Sequence, residues 1–221
     1  MPEQIKDRTD AGRLLADRLA AYAGRSDVMV LALPRGGVPV AFEIAKALRA
    51  SLDVFLVRKL GVPGFQELAF GSITMNGTRF IDPDVVEEFG LTDSQIAKVI
   101  ASEKRELERR AVLYRRSHHP LDVVGRTVIV VDDGVATGST IRAVIKVLRE
   151  MKCARIVVAV GVAPLRICLF LGSEADEVVC LKMPSDFQAV GQFYGKFPQL
   201  RDEEVLEFLK KAEGFGARRA A

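Results

Sequence analysis

Two kinds of apolar pattern alternate along this chain. Short continuous runs rich in β-branched residues recur at Val28–Leu33, Asp53–Val57, Val128–Val131, Arg155–Val162 and Glu177–Leu181. Such runs read as strands buried on both faces of a parallel sheet. Between them, apolar residues return at helical spacing, as in Val38–Arg49, in Ile141, Val144, Ile145 and Leu148, from Pro164 to Leu171, and in Val205, Leu206 and Leu209. A first helix is expected from a cap at Thr9 or Asp10 to Gly24. Strand and helix in alternation predict an α/β fold with a doubly wound parallel sheet.

Two stretches break the alternation. Ala69–Met75 and Thr78–Ile81 flank Asn76-Gly77, a strong hairpin signal, and the glycines of Gly61-Val62-Pro63-Gly64 suggest a flexible approach to it. Asp82-Pro83 then suits a short helix start. Thr92-Asp93-Ser94-Gln95 has the form of a capping box opening a long charged helix to about Arg116. The charges of that helix, Glu103 to Arg110, read as a solvated face with i,i+4 pairs. A single domain over residues 1–213 is expected, with a lid at 61–81, a helical insertion at 82–120, a small C-terminal hood at 182–213 and a disordered tail from Gly214 onward.

The stretch with the most chemistry is Val128-Ile129-Val130-Val131-Asp132-Asp133-Gly134-Val135-Ala136-Thr137-Gly138-Ser139-Thr140. A buried strand ends in two adjacent carboxylates, and a loop of small and hydroxyl residues leads into a helix. Free N–H groups and hydroxyls at a helix start form an anion site. Two carboxylates beside it suit Mg²⁺ or sugar hydroxyls. The pattern therefore suggests a phosphorylated sugar with a bound metal. Ligands of doubly wound sheets sit at the carboxyl ends of the strands. The other unusual loops, Pro34-Arg35-Gly36-Gly37 and Arg58-Lys59, also leave strand ends and should converge there.

Composition narrows the class. The chain has 221 residues, 49% of them hydrophobic, and a net charge of +3, which argues against bulk nucleic-acid binding. No apolar run is long enough for a membrane helix, and Met1-Pro2-Glu3 does not open a signal peptide, so a cytoplasmic protein is expected. Cys153, Cys168 and Cys180 lack metal spacing and are expected in the core. His118 and His119 fit a helix cap or exposed loop better than catalysis.

The acidic stretch resembles the phosphoribosyl pyrophosphate (PRPP) motif of the type I phosphoribosyltransferases. The order Pro34-Arg35-Gly36, Arg58-Lys59, Pro63-Gly64 and Ala136-Thr137-Gly138 is most similar to the adenine enzymes. The resemblance implies that Asp132 and Asp133 hold ribose hydroxyls directly or through Mg²⁺, and that Ala136, Thr137, Gly138, Ser139 and Thr140 cradle the 5′-phosphate. It implies pyrophosphate binding by Arg35, Gly36, Gly37, Arg58 and Lys59, with a non-proline cis peptide at Pro34–Arg35. Plain surface solvation is the alternative for Arg35 and for Arg58-Lys59.

The acceptor side is less legible. Hypoxanthine–guanine enzymes carry an Asp where Ala136 stands. Pro184-Ser185-Asp186-Phe187 resembles their base-stacking segment, so Phe187 is either a platform for the acceptor or a core residue. Glu67, in the lid, is a candidate acid or base, with a salt bridge to Arg79 as the alternative.

The expected activity is transfer of ribose-5-phosphate from PRPP to a nitrogen acceptor such as a nucleobase, by a homodimer. The alternative is a PRPP- or nucleotide-sensing regulator that binds RNA or a protein partner. A third class, a PRPP-binding subunit that aminates through glutamine, is disfavoured because the chain lacks an N-terminal catalytic cysteine.

Overall fold

The computed structural model describes residues 4–75, 77, 79–114 and 121–216, apart from the side chains of Gln66 and Glu67. The expected α/β architecture is present. Strands β1 (Val28–Ala32), β2 (Ser51–Val54), β6 (Thr127–Asp132), β7 (Arg155–Val162) and β8 (Glu177–Lys182) form one sheet in the order β2-β1-β6-β7-β8, every pair parallel. A second, antiparallel sheet holds β3 (Val57–Val62), β4 (Phe65–Thr74) and β5 (Arg79–Ile81).

Continuous apolar runs make sense because the central strands feed two cores. Val28, Val30, Ala32, Ile129, Val131, Val157 and Ala159 face the core under α1 (Arg8–Arg18) and α2 (Gly37–Leu48). Their alternates Met29, Leu31, Val128, Val130, Ile156, Val158 and Val160 face the core under α5 (Ser139–Glu150) and α6 (Leu165–Gly172). Successive side chains of a strand point to opposite faces, so a strand covered on both sides needs apolar residues at every position. Cys153, Cys168 and Cys180 are free and buried, as expected.

Several boundaries differ from the sequence reading. The first helix is capped by Asp7, whose Oδ1 accepts the Asp10 N–H at 2.9 Å, rather than by Thr9 or Asp10. The second core strand ends at Val54. The chain then crosses through buried Phe55 and Leu56 into the antiparallel sheet. Arg58 and Lys59 therefore sit on β3 of that sheet, paired with Ile73 and Ser72, and not at the end of a core strand. No glycine or proline marks this crossing, which is why the pattern runs on without a break.

The hairpin is present, with Ile73 opposite Arg79 and Gly71 opposite Ile81. Its body is anchored, however. Leu60, Phe70 and Ile73 are fully buried, and Lys146 of α5 lies 3.5 Å over the Phe80 ring. The Pro63-Gly64 turn, Phe65 and Leu68 are exposed, as are Gly77 and Arg79 toward the hairpin tip.

Beyond the hairpin lie α3 (Pro83–Glu88) and α4 (Asp93–Tyr114). Thr92 and Gln95 make the reciprocal cap bonds predicted for α4. Leu107 and Tyr114 are buried, and Ile96, Val99 and Ile100 pack on the core. One face of α4 is thus a packing surface. The last helix, α7 (Asp202–Lys211), packs on α2 through Phe208 and Phe42, 5.3 Å between ring centroids. Phe215, placed in the disordered tail by sequence, instead rests 5.4 Å from Phe42. Residues 217–221, like His118 and His119, lie outside the described residues.

Candidate active site

The chain runs from β1 outward to β2 and later returns to β6 on the other side of β1, so the order reverses between β1 and β6. Loops leaving two such strands part to opposite faces and open a crevice at their carboxyl ends. Leu33 N–H donates to Val131 O at 2.9 Å, which sets the two loops side by side. The Pro34–Arg35 peptide is cis, as expected.

The glycines of this loop are required by closeness. A Cβ on Gly37 would lie 2.5 Å from Val131 O and 3.0 Å from Asp132 Cα. One on Gly36 would lie 2.0 Å from Asp133 Oδ2. The start of α2 can thus press against the end of β6 only with no side chain between them.

The two adjacent carboxylates are not equivalent. Strand alternation sends Asp133 to the α1 side, where Arg8 Nε donates to its Oδ2 at 2.7 Å; both residues are buried. Arg8 also donates to Pro198 O at 2.7 Å and lies 3.8 Å over the Phe197 ring. Tyr194 OH donates to Asp133 O at 2.6 Å, and burial pushes its pKa up, so it stays a neutral donor. Asp133, expected to hold ribose hydroxyls directly or through Mg²⁺, has its Oδ2 in an ion pair with Arg8 behind Gly36. Asp132 keeps the other face. Burial pushes its carboxyl well above the usual carboxylate range, with the neighbouring Asp133 charge adding to it. Its Oδ1 accepts the Asp133 N–H at 2.9 Å.

After the acidic pair the loop rises to α5. Gly138 takes φ 78°, a left-handed conformation that glycine adopts without strain. Ala136 and Thr137 are exposed, and Thr137 Oγ1 lies 2.9 Å from Ser139 Oγ. Arg142 N–H reaches back to Gly138 O at 2.9 Å, which leaves the N–H groups of the preceding first turn pointing out of the helix. Such a helix start, with hydroxyls beside it, has the donor groups that an anion site needs.

A cleft of about 930 Å³ borders this crevice through Pro34 and Thr140; Asp132, Gly36, Gly37 and Thr137 are not among its lining residues. It is lined by Pro34, Arg58, Lys59 and Thr140 from the expected site, and by Lys98 and Glu103 of α4. Glu103 belongs to the helix face read as solvated. It accepts from Arg58 Nε at 2.6 Å, a contact 45 residues apart that sequence reasoning missed. The same helix does carry the expected local pairs, Arg109 and Arg110 each 2.8 Å from Glu106. Arg35 is half-exposed, its Nη1 3.8 Å from Asp202, and Tyr114 OH donates to that same Asp202. Phe187 stacks against Phe193 at 5.7 Å and packs on the core. It is not among the residues lining this cleft. The Glu67 side chain lies outside the described residues.

Residues 2–194 match the phosphoribosyl transferase domain. The chain belongs to that family. A Mycobacterium tuberculosis protein named as a candidate phosphoribosyl transferase is 48% identical over 206 residues, which are 93% of this chain and 46% of that protein; the same match holds in a second strain. The chain thus spans about half the length of the curated relatives it matches. The crystal structure of TT1426 from Thermus thermophilus has a TM-score of 0.84 with this chain at 40% identity, covering 94% of this chain and 98% of that one.

The family implies a magnesium ion, and the donor set can be tested for it. Among the described residues no group of three His, Cys, Asp or Glu side chains could hold a metal. One Asp133 oxygen is taken by Arg8, which leaves Asp132 as the available carboxylate. Mg²⁺ is commonly held by one or two carboxylates together with substrate phosphates and water. The residues therefore fit an ion that arrives with its substrate and not one caged by protein.

Proposed function

We propose that this domain transfers ribose-5-phosphate from PRPP to a nitrogen acceptor, in the first instance a purine or other nucleobase, and releases pyrophosphate. The observation that carries the reading is the single crevice at the β1/β6 reversal. There a Gly-Gly loop, a partly desolvated Asp132 and the free end of α5 meet, with Arg58, Lys59 and Thr140 lining the adjoining cleft.

In this reading the N–H groups and hydroxyls from Thr137 to Thr140 bind the 5′-phosphate. Lys59 and Arg58 face the pyrophosphate, with the backbone of Gly36 and Gly37 close by. Arg58 exchanges its Glu103 partner for phosphate oxygens. Asp132 accepts from the ribose hydroxyls and stands near the positive charge that grows on the ribose ring. A Mg²⁺ ion held between Asp132 and the substrate would supply electrostatic relief for the departing pyrophosphate.

The bond from C1 of the ribose to the pyrophosphate oxygen breaks, and its electron pair leaves with the pyrophosphate. The acceptor nitrogen forms the new bond and loses its proton. Glu67 is the candidate for that proton on sequence grounds alone. Ala136 leaves no carboxylate in the loop for the scheme of the hypoxanthine–guanine enzymes. Phe187, in the hood whose Val190 would meet a Cβ on Gly134 at 2.4 Å, is the candidate platform for a base.

The test is PRPP-dependent pyrophosphate release from the 221-residue chain across a panel of nucleobases, with Asp132→Asn beside it. The expected result is turnover with at least one base and its loss in Asp132→Asn at unchanged melting temperature. Undiminished turnover in Asp132→Asn would remove Asp132 from the mechanism. PRPP binding without release for any base would favour a sensor. With an active base in hand, Phe187→Ala is expected to raise the KM for the base more than that for PRPP.

A further inference from the structure

The opposite end of the sheet carries a second feature that PRPP chemistry does not use. A cavity of about 650 Å³ opens at the amino ends of β1 and β2, lined by Val28, Ser51 and four cations, Arg25, Lys46, Arg49 and Arg126. That volume lies within the usual range of small-molecule sites, roughly 300–1,000 Å³. The cations come from three separate parts of the chain: the turn before β1, the end of α2 and the turn before β6. Among the described residues no Asp or Glu lines the cavity.

The four differ in how far they are neutralised. Arg25 is paired with Asp27 at 2.7 Å, and that pairing draws the Asp27 carboxyl down to about 2. Arg126 Nη2 donates to Val28 O at 3.3 Å, a carbonyl that aims the guanidinium without cancelling its charge. Lys46 and Arg49 are exposed. Glu43, one turn before Lys46 on α2, is committed to Arg13 at 3.3 Å. The carbonyl end of α2 offsets part of the Lys46 and Arg49 charge, since cations are favoured at a helix C-terminus. It does not account for Arg126, which a different loop brings to the same cavity. Arg49 itself sits at φ 56°, in the left-handed region. Phe215 adds a ring to the wall beside the glycines of the 214–216 turn.

Three cations without a carboxylate partner among the described residues, two of them partly offset by the α2 carbonyls, raise the local positive potential of the hollow and favour an anion whose charge spreads between them. We infer that this cavity is a binding site for an oligophosphate, a small molecule with two or more linked phosphates, distinct from the PRPP crevice at the other end of the sheet. A nucleoside polyphosphate and an inorganic polyphosphate share that chemistry. The Phe215 ring would favour the nucleotide by stacking.

The test is calorimetric titration of the full chain with tripolyphosphate and, separately, with ATP. The Arg58→Ala/Lys59→Ala background removes the two cations assigned to pyrophosphate in the crevice and leaves the Thr137–Thr140 cradle, so the Lys46 and Arg49 substitutions decide which site is read. Binding is expected to persist in that background. It should weaken at least about tenfold when Lys46→Ala and Arg49→Gly are added, the loss of one or more charge-assisted contacts. Both positions are exposed, and glycine accepts the Arg49 conformation, so the melting temperature should hold. Tighter binding of ATP than of tripolyphosphate would identify the nucleotide, and equal binding the phosphates alone. The inference is overturned if all oligophosphate binding disappears in the Arg58→Ala/Lys59→Ala background. It is equally overturned if binding there is indifferent to Lys46 and Arg49.

Discussion

Replacing Arg8 by Met isolates the least anticipated contact in the molecule. Arg8 and Asp133 are 9% and 8% exposed, and their 2.7 Å contact joins residues 125 positions apart. Met fills much of the same volume and can still lie on Phe197, but it leaves the Asp133 carboxylate buried without its cation. The Pro198 carbonyl loses a donor as well. Removing one partner of a buried ion pair costs about 3–5 kcal/mol, most of it the desolvated charge left behind. In a chain of this size each kcal/mol is worth about 2–4 °C, so the melting temperature should fall by about 6–20 °C. Urea denaturation at pH 7 would give the free energy directly. The cycle is completed by Asp133→Asn, alone and with Arg8→Met. Asn removes the orphaned charge, so the double variant should recover much of the loss, with a coupling of about 1–3 kcal/mol. A loss below about 1 kcal/mol in Arg8→Met, or strict additivity, would refute the claim that the pair anchors the acidic loop.

Three further outcomes follow from particular contacts. Gly37→Ala puts a methyl 2.5 Å from Val131 O, where the neighbour is backbone and cannot turn aside; a loss of about 1–3 kcal/mol in denaturant melts is expected, and a neutral result would contradict the close approach of α2 to β6. Glu103→Gln releases Arg58 from a half-buried pair worth up to about 1 kcal/mol, so pyrophosphate should inhibit about two- to fivefold more tightly, and weaker inhibition would count against Arg58 as a pyrophosphate ligand. The guanidinium groups of Arg109 and then Arg110 hold the Glu106 carboxyl at about 2, below its ordinary 4.5. Because the folded value is depressed, the stabilisation is complete above pH 4.5 and fades as the pH drops toward 2; a carbon-13 titration of Glu106 with a midpoint near 4.5 would show that the pairs do not persist in solution.

Much of the candidate site was legible because it is local. The motif from Val128 to Thr140 carries its own instructions: a run that must be buried, polar groups at the point where burial stops, glycine where φ turns positive, and hydroxyls at a helix start. The loop at Pro34 to Gly37 and the hairpin around Asn76-Gly77 are of the same kind. The five strands of the parallel sheet and its two-sided cover also follow from sequence, since only strands with two apolar faces read as unbroken runs of valine and isoleucine.

What the tertiary structure alone decided is partnership. Nothing in the run Asp132-Asp133 distinguishes the two carboxylates; they part because alternation along β6 sends one toward Arg8 and leaves the other at the crevice. Glu103 reads as one more charge on a polar helix until α4 lies along β3 and the carboxylate meets Arg58. Arg58 and Lys59 read as the end of a core strand because Phe55 and Leu56, apolar and buried, hide the step from one sheet to the other. The four cations of the second cavity are scattered from Arg25 to Arg126 and become one site only when the amino ends of the strands are gathered. Local sequence sets φ, burial and capping within a few residues. Which charge meets which depends on how distant elements pack, and any of several arginines would satisfy a carboxylate equally well along the chain.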